Sequence, residues 1–161
     1  LFLERTIGDN IVISELDAFS GTLGRLNKEA ISAEEKRWVE DLSVATPTPD
    51  NAVNTLSGGN QQKVVLAKWL ATSPQVLILN GPTVGVDIGS KYTINRILQG
   101  LAHQGMAIIV ISDDINEVLT NCNRLMIMRG GRLDISVDPT ATTEKELADM
   151  MAADTAGKEV A

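Results

Sequence analysis

Apolar positions follow two rhythms along this chain: a mostly helical one over the first third, then short apolar runs alternating with helical faces. Residues 1–16 open with a strand-like stretch and place Asp9-Asn10 ahead of a short apolar run. A Gly/Asn-rich stretch occupies residues 20–27. Ser32-Ala33-Glu34-Glu35 reads as a capping box, in which the serine and the glutamate three residues on close each other's end of a helix. That helix is predicted to reach about Leu42, with Trp38, Val39 and Leu42 on one side. Thr46-Pro47-Thr48-Pro49-Asp50 is an extended linker, because each proline disfavours helix in the residue before it.

Residues 63–72 are apolar nearly all round, which predicts a helix buried on most sides and ended by Pro74. Val76-Leu77-Ile78-Leu79 is a continuous apolar run between turn signals, as fits a central strand of a parallel sheet. Apolar residues at 94, 97, 98 and 101 give residues 89–104 a helical face, and residues 106–112 form a second buried strand. Asp114 with Glu117 caps the next helix, whose face carries Ile115, Val118, Leu119 and Cys122. Residues 125–128, Gly130-Gly131 and residues 132–137 read as strand, turn and returning strand. Thr143-Glu144-Lys145-Glu146 opens a last helix, and the residues beyond Asp154 read as a loose tail. Strand, helix, strand, helix, strand is the order of an α/β layer with a parallel sheet. There is no internal repeat and no low-complexity block.

Composition narrows the class. At 161 residues, the chain fits one domain able to bury a real core. It is 43% hydrophobic and 22% charged, as in ordinary globular proteins, but only 3% aromatic, so aliphatic side chains must fill the interior. The longest apolar runs are far too short to cross a bilayer. No charged segment followed by an apolar one marks the start as a leader. Cys122 is the single cysteine, which excludes an internal disulfide and suits a reducing compartment. A net charge of −7 and a pI near 4.7 argue against a nucleic-acid surface, where a basic stripe is expected. Solubility is the plainer reading of that charge.

The candidate chemistry begins at Leu56-Ser57-Gly58-Gly59-Asn60-Gln61-Gln62-Lys63, immediately ahead of the apolar helix. Gly58 and Gly59 lack a Cβ, so backbone can approach a ligand closely there. A helix begun in this way aims unpaired N–H groups and the positive end of its dipole at one point, which suits a phosphate. Ser57 adds a hydroxyl that can cap the helix or touch a phosphate oxygen. The octet resembles the signature motif of ATP-binding-cassette ATPases, in the Asn-Gln-Gln form of simple-sugar importers. Downstream, Val84-Gly85-Val86-Asp87 resembles the D-loop of that family. The resemblance continues through Cys122-Asn123-Arg124-Leu125 and Met128-Arg129-Gly130-Gly131-Arg132, almost the whole chain.

Three positions depart from the family's pattern. Where its strand ends in Asp and Glu before Pro-Thr, this chain has Asn80 and Gly81 before Pro82-Thr83. In the family that Asp holds the magnesium shell and that Glu polarises the attacking water. Asn80 can still accept a hydrogen bond from a metal-bound water, without charge to offset the cation. Gly81 has no side chain to act as a base, and losing a base removes a factor of about 100–10,000 in rate, roughly 3–5 kcal/mol of barrier. Asp113 stands where the family carries its switch histidine, and a carboxylate there would repel a γ-phosphate. Asp113 or Asp114 also reads simply as a helix cap. His103, the only histidine, falls at an exposed helix end.

The chain contains no Gly-x-x-x-x-Gly-Lys-Ser/Thr loop, the cradle for the α- and β-phosphates. The resemblance therefore implies a single partial cassette domain. Residues 1–55 correspond to its mostly helical subdomain, 56–137 to the signature, carboxylate strand, D-loop and switch of a P-loop NTPase (RecA-like) core, and 138–161 to a C-terminal helix and tail. A phosphate loop is expected within roughly 120 residues before Leu1, given usual domain sizes. In this family nucleotide is sandwiched between two cassettes facing head to tail. Ser57, Gly58, Gly59 and Gln61 would then serve ATP held by another domain, and Asp87 would cross to that partner. Asn80, Gly81 and Asp113 would belong to this domain's own, impaired site, with Mg2+ met at most through water at Asn80. The resemblance further implies membrane permease subunits and a periplasmic or extracellular sugar-binding protein as partners, and a place on the cytoplasmic face of the membrane. Two alternatives stay open. One is a non-catalytic interaction remnant. The other is a DNA-repair-type cassette ATPase, disfavoured by the acidic balance and by only 16 residues, without heptads or cysteines, between Lys63 and Asn80.

Overall fold

The computed structural model describes residues 1–21 and 24–153, so the expected tail beyond Asp154 and part of the Gly/Asn-rich stretch lie outside the described residues. The elements are α1 (Ile7–Val12), α2 (Lys28–Asp41), α3 (Gly58–Leu70), β1 (Val76–Asn80), α4 (Ile88–His103), β2 (Ala107–Ile111), α5 (Ile115–Asn121), β3 (Leu125–Arg129), β4 (Arg132–Val137) and α6 (Glu144–Ala152). They divide into two compact units. The first holds Leu1–Ile78 with Pro82–Ile109, and the second holds Leu79–Gly81 with the residues from Val110 onward.

In the first unit the strand-like opening is not a strand. Thr6 Oγ1 accepts the Asp9 N–H at 2.9 Å and starts α1. Asn10 is fully buried; its Oδ1 accepts the Phe2 N–H at 2.7 Å, and its Nδ2 donates to Phe2 O at 3.0 Å and Thr6 O at 2.9 Å. The Asp9-Asn10 pair thus closes the first turn and ties down the segment before it. Local capping outweighs an apolar stretch too short to pair as a strand.

Helix α2 begins four residues before the predicted serine box. Asn27 Oδ1 accepts the Ala30 N–H at 3.1 Å, and Ser32 falls inside the helix. Asn is as good a cap as Ser, and Lys28-Glu29-Ala30 are good helix formers, so the earlier start wins. The glutamates of the supposed box have other partners. Glu34 pairs with Arg37 and accepts from Trp38 Nε1 at 2.7 Å. Glu35 lies against Gly8, where an added Cβ would come within 2.5–2.9 Å of the Glu35 carboxyl.

Ile7, Ile11, Val53, Val64, Leu66 and Ile94 form the fully buried centre of this unit, where α1 packs on α2 and α3, and α3 on α4. Helix α3 is buried on most sides as its pattern predicts, with Trp69 the exception at 49% exposure. Its helical turns stop at Leu70, and Ser73 turns left-handed at φ 51°, so the helix ends before Pro74 is reached. Lys63 on the buried side donates from Nζ to Ser43 O at 2.8 Å, and burial pushes its pKa down.

Strands β1 and β2 pair. The Ala107 N–H donates to Gln75 O at 3.1 Å and the Gly81 N–H to Ile111 O at 2.8 Å, the pattern of a parallel ladder. Both strands were expected to be buried on two faces, yet each alternates. Leu77 and Leu79 point inward, whereas Val76, Ile78, Ile109 and Ile111 are more than half exposed. Among the described residues this sheet has two strands and one covered face, so period-2 burial replaces continuous burial.

The second unit matches its pattern closely. Gly130 and Gly131 both adopt positive φ, at 52° and 78°, as a two-residue hairpin turn requires, and they join β3 to β4 antiparallel. Leu125, Ile127 and Val137 meet Leu147 of α6, with Ile115, Val118, Leu119 and Cys122 packed against them. Burial first, and then the charge of Glu117, push the Cys122 thiol pKa up. Helix α6 starts in a full capping box between Thr143 and Glu146.

Candidate functional site

Ser57 sits at the N-cap of α3 with extended backbone, and it and Gly58 are exposed while Gly59 is buried. The first intrahelical bond runs from Gln61 N–H to Ser57 O at 2.9 Å. The N–H groups of Gly58, Gly59 and Asn60 therefore lie ahead of the helical ladder, at the positive end of the dipole. Ser57 Oγ does not cap its own helix. It accepts from Asn60 Nδ2 at 3.0 Å, and Asn60 Oδ1 accepts the Ala45 N–H at 2.9 Å. Asn60 therefore fixes the serine hydroxyl to the loop after α2, a role that sequence reading missed. Its position three residues after Ser57, where an amide can reach back, is the signal that could have found it. Gln61, grouped with the glycines above, turns its side-chain amide to Leu56 O at 3.0 Å.

Asp87 lies in the same unit and caps α4. Its Oδ1 accepts the Ser90 N–H at 2.9 Å and its Oδ2 the Ser90 hydroxyl at 2.7 Å. These bonds, the hydroxyl first, hold the Asp87 pKa below its usual range. A Cβ on Gly59 would overlap the Ser90 side chain and stand 3.7 Å from Asp87 Oδ2, so the starts of α3 and α4 touch. The octet and Asp87 are thus brought to one edge of the first unit. Ser90, which made no mark in the sequence, is the residue between them.

Asn80, Gly81 and Asp113 fall in the second unit. The Gly81–Ile111 hydrogen bond sets the ends of β1 and β2 side by side, with Asn80 and Asp113 both exposed just there. Gly81 has φ 59°, a left-handed backbone that costs other residues roughly 1–2 kcal/mol. Asp114, not Asp113, caps α5, accepting the Glu117 N–H at 2.9 Å. Ser112 Oγ donates to the buried Glu117 Oε2 at 3.0 Å and accepts the Asp114 N–H at 3.2 Å. Among the described residues, no three His, Cys, Asp or Glu side chains group to hold a metal ion. The side chains exposed at this strand end are a neutral amide, Asn80, and a carboxylate, Asp113. His103 is exposed at the last turn of α4.

The fold is that of ATP-binding cassettes. A nucleotide-free ATP-binding cassette from an ABC transporter matches 97% of this chain and 64% of its own, at 20% identity and a TM-score of 0.77. The dimeric post-hydrolysis state of the cassette MJ0796, bound to ADP and Pi, matches 86% and 59% at 22% identity and a TM-score of 0.70. Residues 1–84 match the ABC transporter family, more than half of the chain, and the chain belongs to that family.

Among curated proteins, it is 34% identical over 152 residues to the galactose/methyl galactoside import ATP-binding protein MglA of Clostridium perfringens, covering 94% of this chain and 30% of that protein. It is 37% identical over 147 residues to the ribose import ATP-binding protein RbsA of Clostridium tetani, covering 91% and 29%. It is 38% identical over 141 residues to the xylose import ATP-binding protein XylG of Escherichia coli, covering 88% and 28%. The chain spans about 30% of the length of these relatives.

Proposed function

We propose that this chain is part of the ATP-binding subunit of an ABC importer for a simple sugar, from the second of two cassettes. It lends Ser57, Gly58 and Gly59 to ATP held by another cassette, while its own magnesium and base positions, Asn80 and Gly81, are degenerate. Gln61 and Asp87 stand beside the lent residues. The relatives described above are all sugar-import ATP-binding proteins, which supports the substrate class.

One observation carries the division of labour. The residues assigned to the lent half lie together on one unit, and the three assigned to the kept half lie on the other. An exposed serine hydroxyl, held from behind by Asn60 and flanked by N–H groups ahead of the helical ladder, suits a terminal phosphate. Asn80 carries no charge to offset a metal ion, and Gly81 has no side chain to act as a base. ATP with Mg2+ would accordingly be held mainly by the partner cassette's phosphate loop and carboxylates. Permease subunits and, through them, a sugar-binding protein would complete the assembly on the cytoplasmic face of the membrane. Among the described residues no helix is long and apolar enough to cross a membrane.

The test uses the full-length subunit. Ser57→Arg is expected to abolish ATPase turnover, because a long cation then fills the place of the lent hydroxyl. Asn80→Asp combined with Gly81→Glu is expected to change turnover less, and the left-handed backbone at 81 further limits what the glutamate can regain. Unchanged turnover in Ser57→Arg overturns the assignment.

A further inference from the structure

The two glycines of the octet do different work. An added Cβ at Gly58 would find only Gly85 O, at an ordinary 3.6 Å, and Gly58 is exposed. At Gly59, by contrast, the space a Cβ would need is already filled by the Ser90 side chain, and Gly59 is buried. The missing Cβ of Gly59 is thus answered from inside the chain. Ser90 holds both oxygens of Asp87, one through its N–H and one through its hydroxyl. Gly59, Ser90 and Asp87 form an unbroken contact between the first turn of α3 and the first turn of α4, all within one unit.

We propose that Ser90 is a positioning residue for the lent half of the ATP site, seated in the notch left by Gly59 so that the Asp87 carboxylate and the signature helix form one rigid edge. The absence of a side chain at Gly59 is then required by the fit of Ser90, whereas an added Cβ at Gly58 would meet only Gly85 O at an ordinary distance. This rests on the reading of the octet given above. It adds a residue that the octet does not contain and separates the roles of the two glycines.

A size exchange tests it in the full-length subunit, with the melting temperature measured without nucleotide and ATPase kcat and KM measured in parallel. Gly59→Ala overpacks the notch and is expected to lower Tm by about 5 °C. Displacing the edge by about 1 Å should cut kcat about 100-fold. Adding Ser90→Gly vacates the seat for the new methyl, so the double variant is expected to regain Tm and at least about tenfold of the lost kcat. Ser90→Ala keeps the Cβ that fills the notch and loses the hydroxyl beside it, and should show only a small fall in Tm with a several-fold fall in kcat at unchanged KM. A double variant no more stable than Gly59→Ala overturns the proposal. So does one that regains Tm while turnover stays lost, or a Ser90→Ala variant of normal kcat. If Gly59→Ala does not fold, a folded double variant supports the notch and an unfolded one overturns it. Ser57→Arg judges the octet's role separately, and the Tm readings judge the notch even if that role fails.

Discussion

At the scale of single residues, hydrogen bonding and burial give otherwise ordinary polar side chains specific duties. Asn10 holds three backbone groups of Phe2 and Thr6 from a fully buried position. Asn10→Ala removes these three bonds and leaves the Phe2 N–H without its partner, while Phe2 O and Thr6 O keep the N–H groups of residues 5 and 10, and chemical denaturation should show a loss of about 1–3 kcal/mol. Glu35 is the opposite case. Burial first, then the charges of Asp9 and Asp50, raise its carboxyl above the ordinary 4.5, against a smaller pull from Lys36. A folded state that keeps this proton longer is favoured at low pH. That contribution is present below about 4.5 and fades as pH rises through the raised folded value. Glu35→Gln, which cannot ionise, should therefore melt higher than the wild type at pH 7–8, with the gain vanishing near pH 4. A lower melting temperature at neutral pH would contradict this. Neither role is legible in the sequence, because each depends on residues brought close only by packing.

At the scale of elements, the chain illustrates when a local signal wins. The capping box predicted at Ser32 did not form, whereas the predicted start of the last helix at Thr143 proved to be one. Thr143 starts α6 with Glu146 returning its bonds, whereas Ser32 was overtaken by Asn27 upstream. The difference lies in what precedes each box. Asp138 and Thr140 form a turn before Thr143, but nothing breaks the helix-forming run between Asn27 and Ser32. Thr143→Ala should loosen α6, whose Leu147 caps the hairpin core, by about 0.5–2 kcal/mol, with faster amide exchange in its first turn. The N–H and hydroxyl of Thr143 lower the Glu146 pKa. The box's stabilisation is therefore complete above the usual carboxylate range and lost as pH falls through the depressed folded value. The wild-type advantage over Thr143→Ala should shrink under acid, as melting curves between pH 7 and 3 would show.

At the scale of the whole molecule, the uncovered apolar surface governs behaviour. Val76, Ile78 and Ile109 lie on an open face of the first unit at 51–64% exposure. In the second unit Met128 stands opposite Leu133 on the hairpin, at 67% and 55% exposure. Such patches mark surfaces that need a cover. The 161-residue chain on its own should self-associate in light scattering, and Ile78→Lys with Ile109→Lys should shift it toward monomer. It should also show no micromolar affinity for ATP by titration calorimetry, since it contains no phosphate loop; tight binding would overturn the proposed function. Most of the architecture was legible because periodicity and turn chemistry are local: α3, α4, α5, the Gly130-Gly131 hairpin and α6 all follow their patterns. Burial of β1 and β2 was not, because continuous apolar runs report hydrophobic strands without saying how many neighbours cover them.

The sequence by itself determined the chemistry on offer. It supplied a serine and two glycines at a helix start, an amide and a glycine before Pro82-Thr83, and the order of strands and helices around them. Those are properties of residue type and spacing, which exist before folding. Only the tertiary structure decided who serves whom. Asn60 holds Ser57, Ser90 fills the space beside Gly59, and Asn10 ties the first turn, because each of these depends on a distance between atoms that the chain alone does not fix.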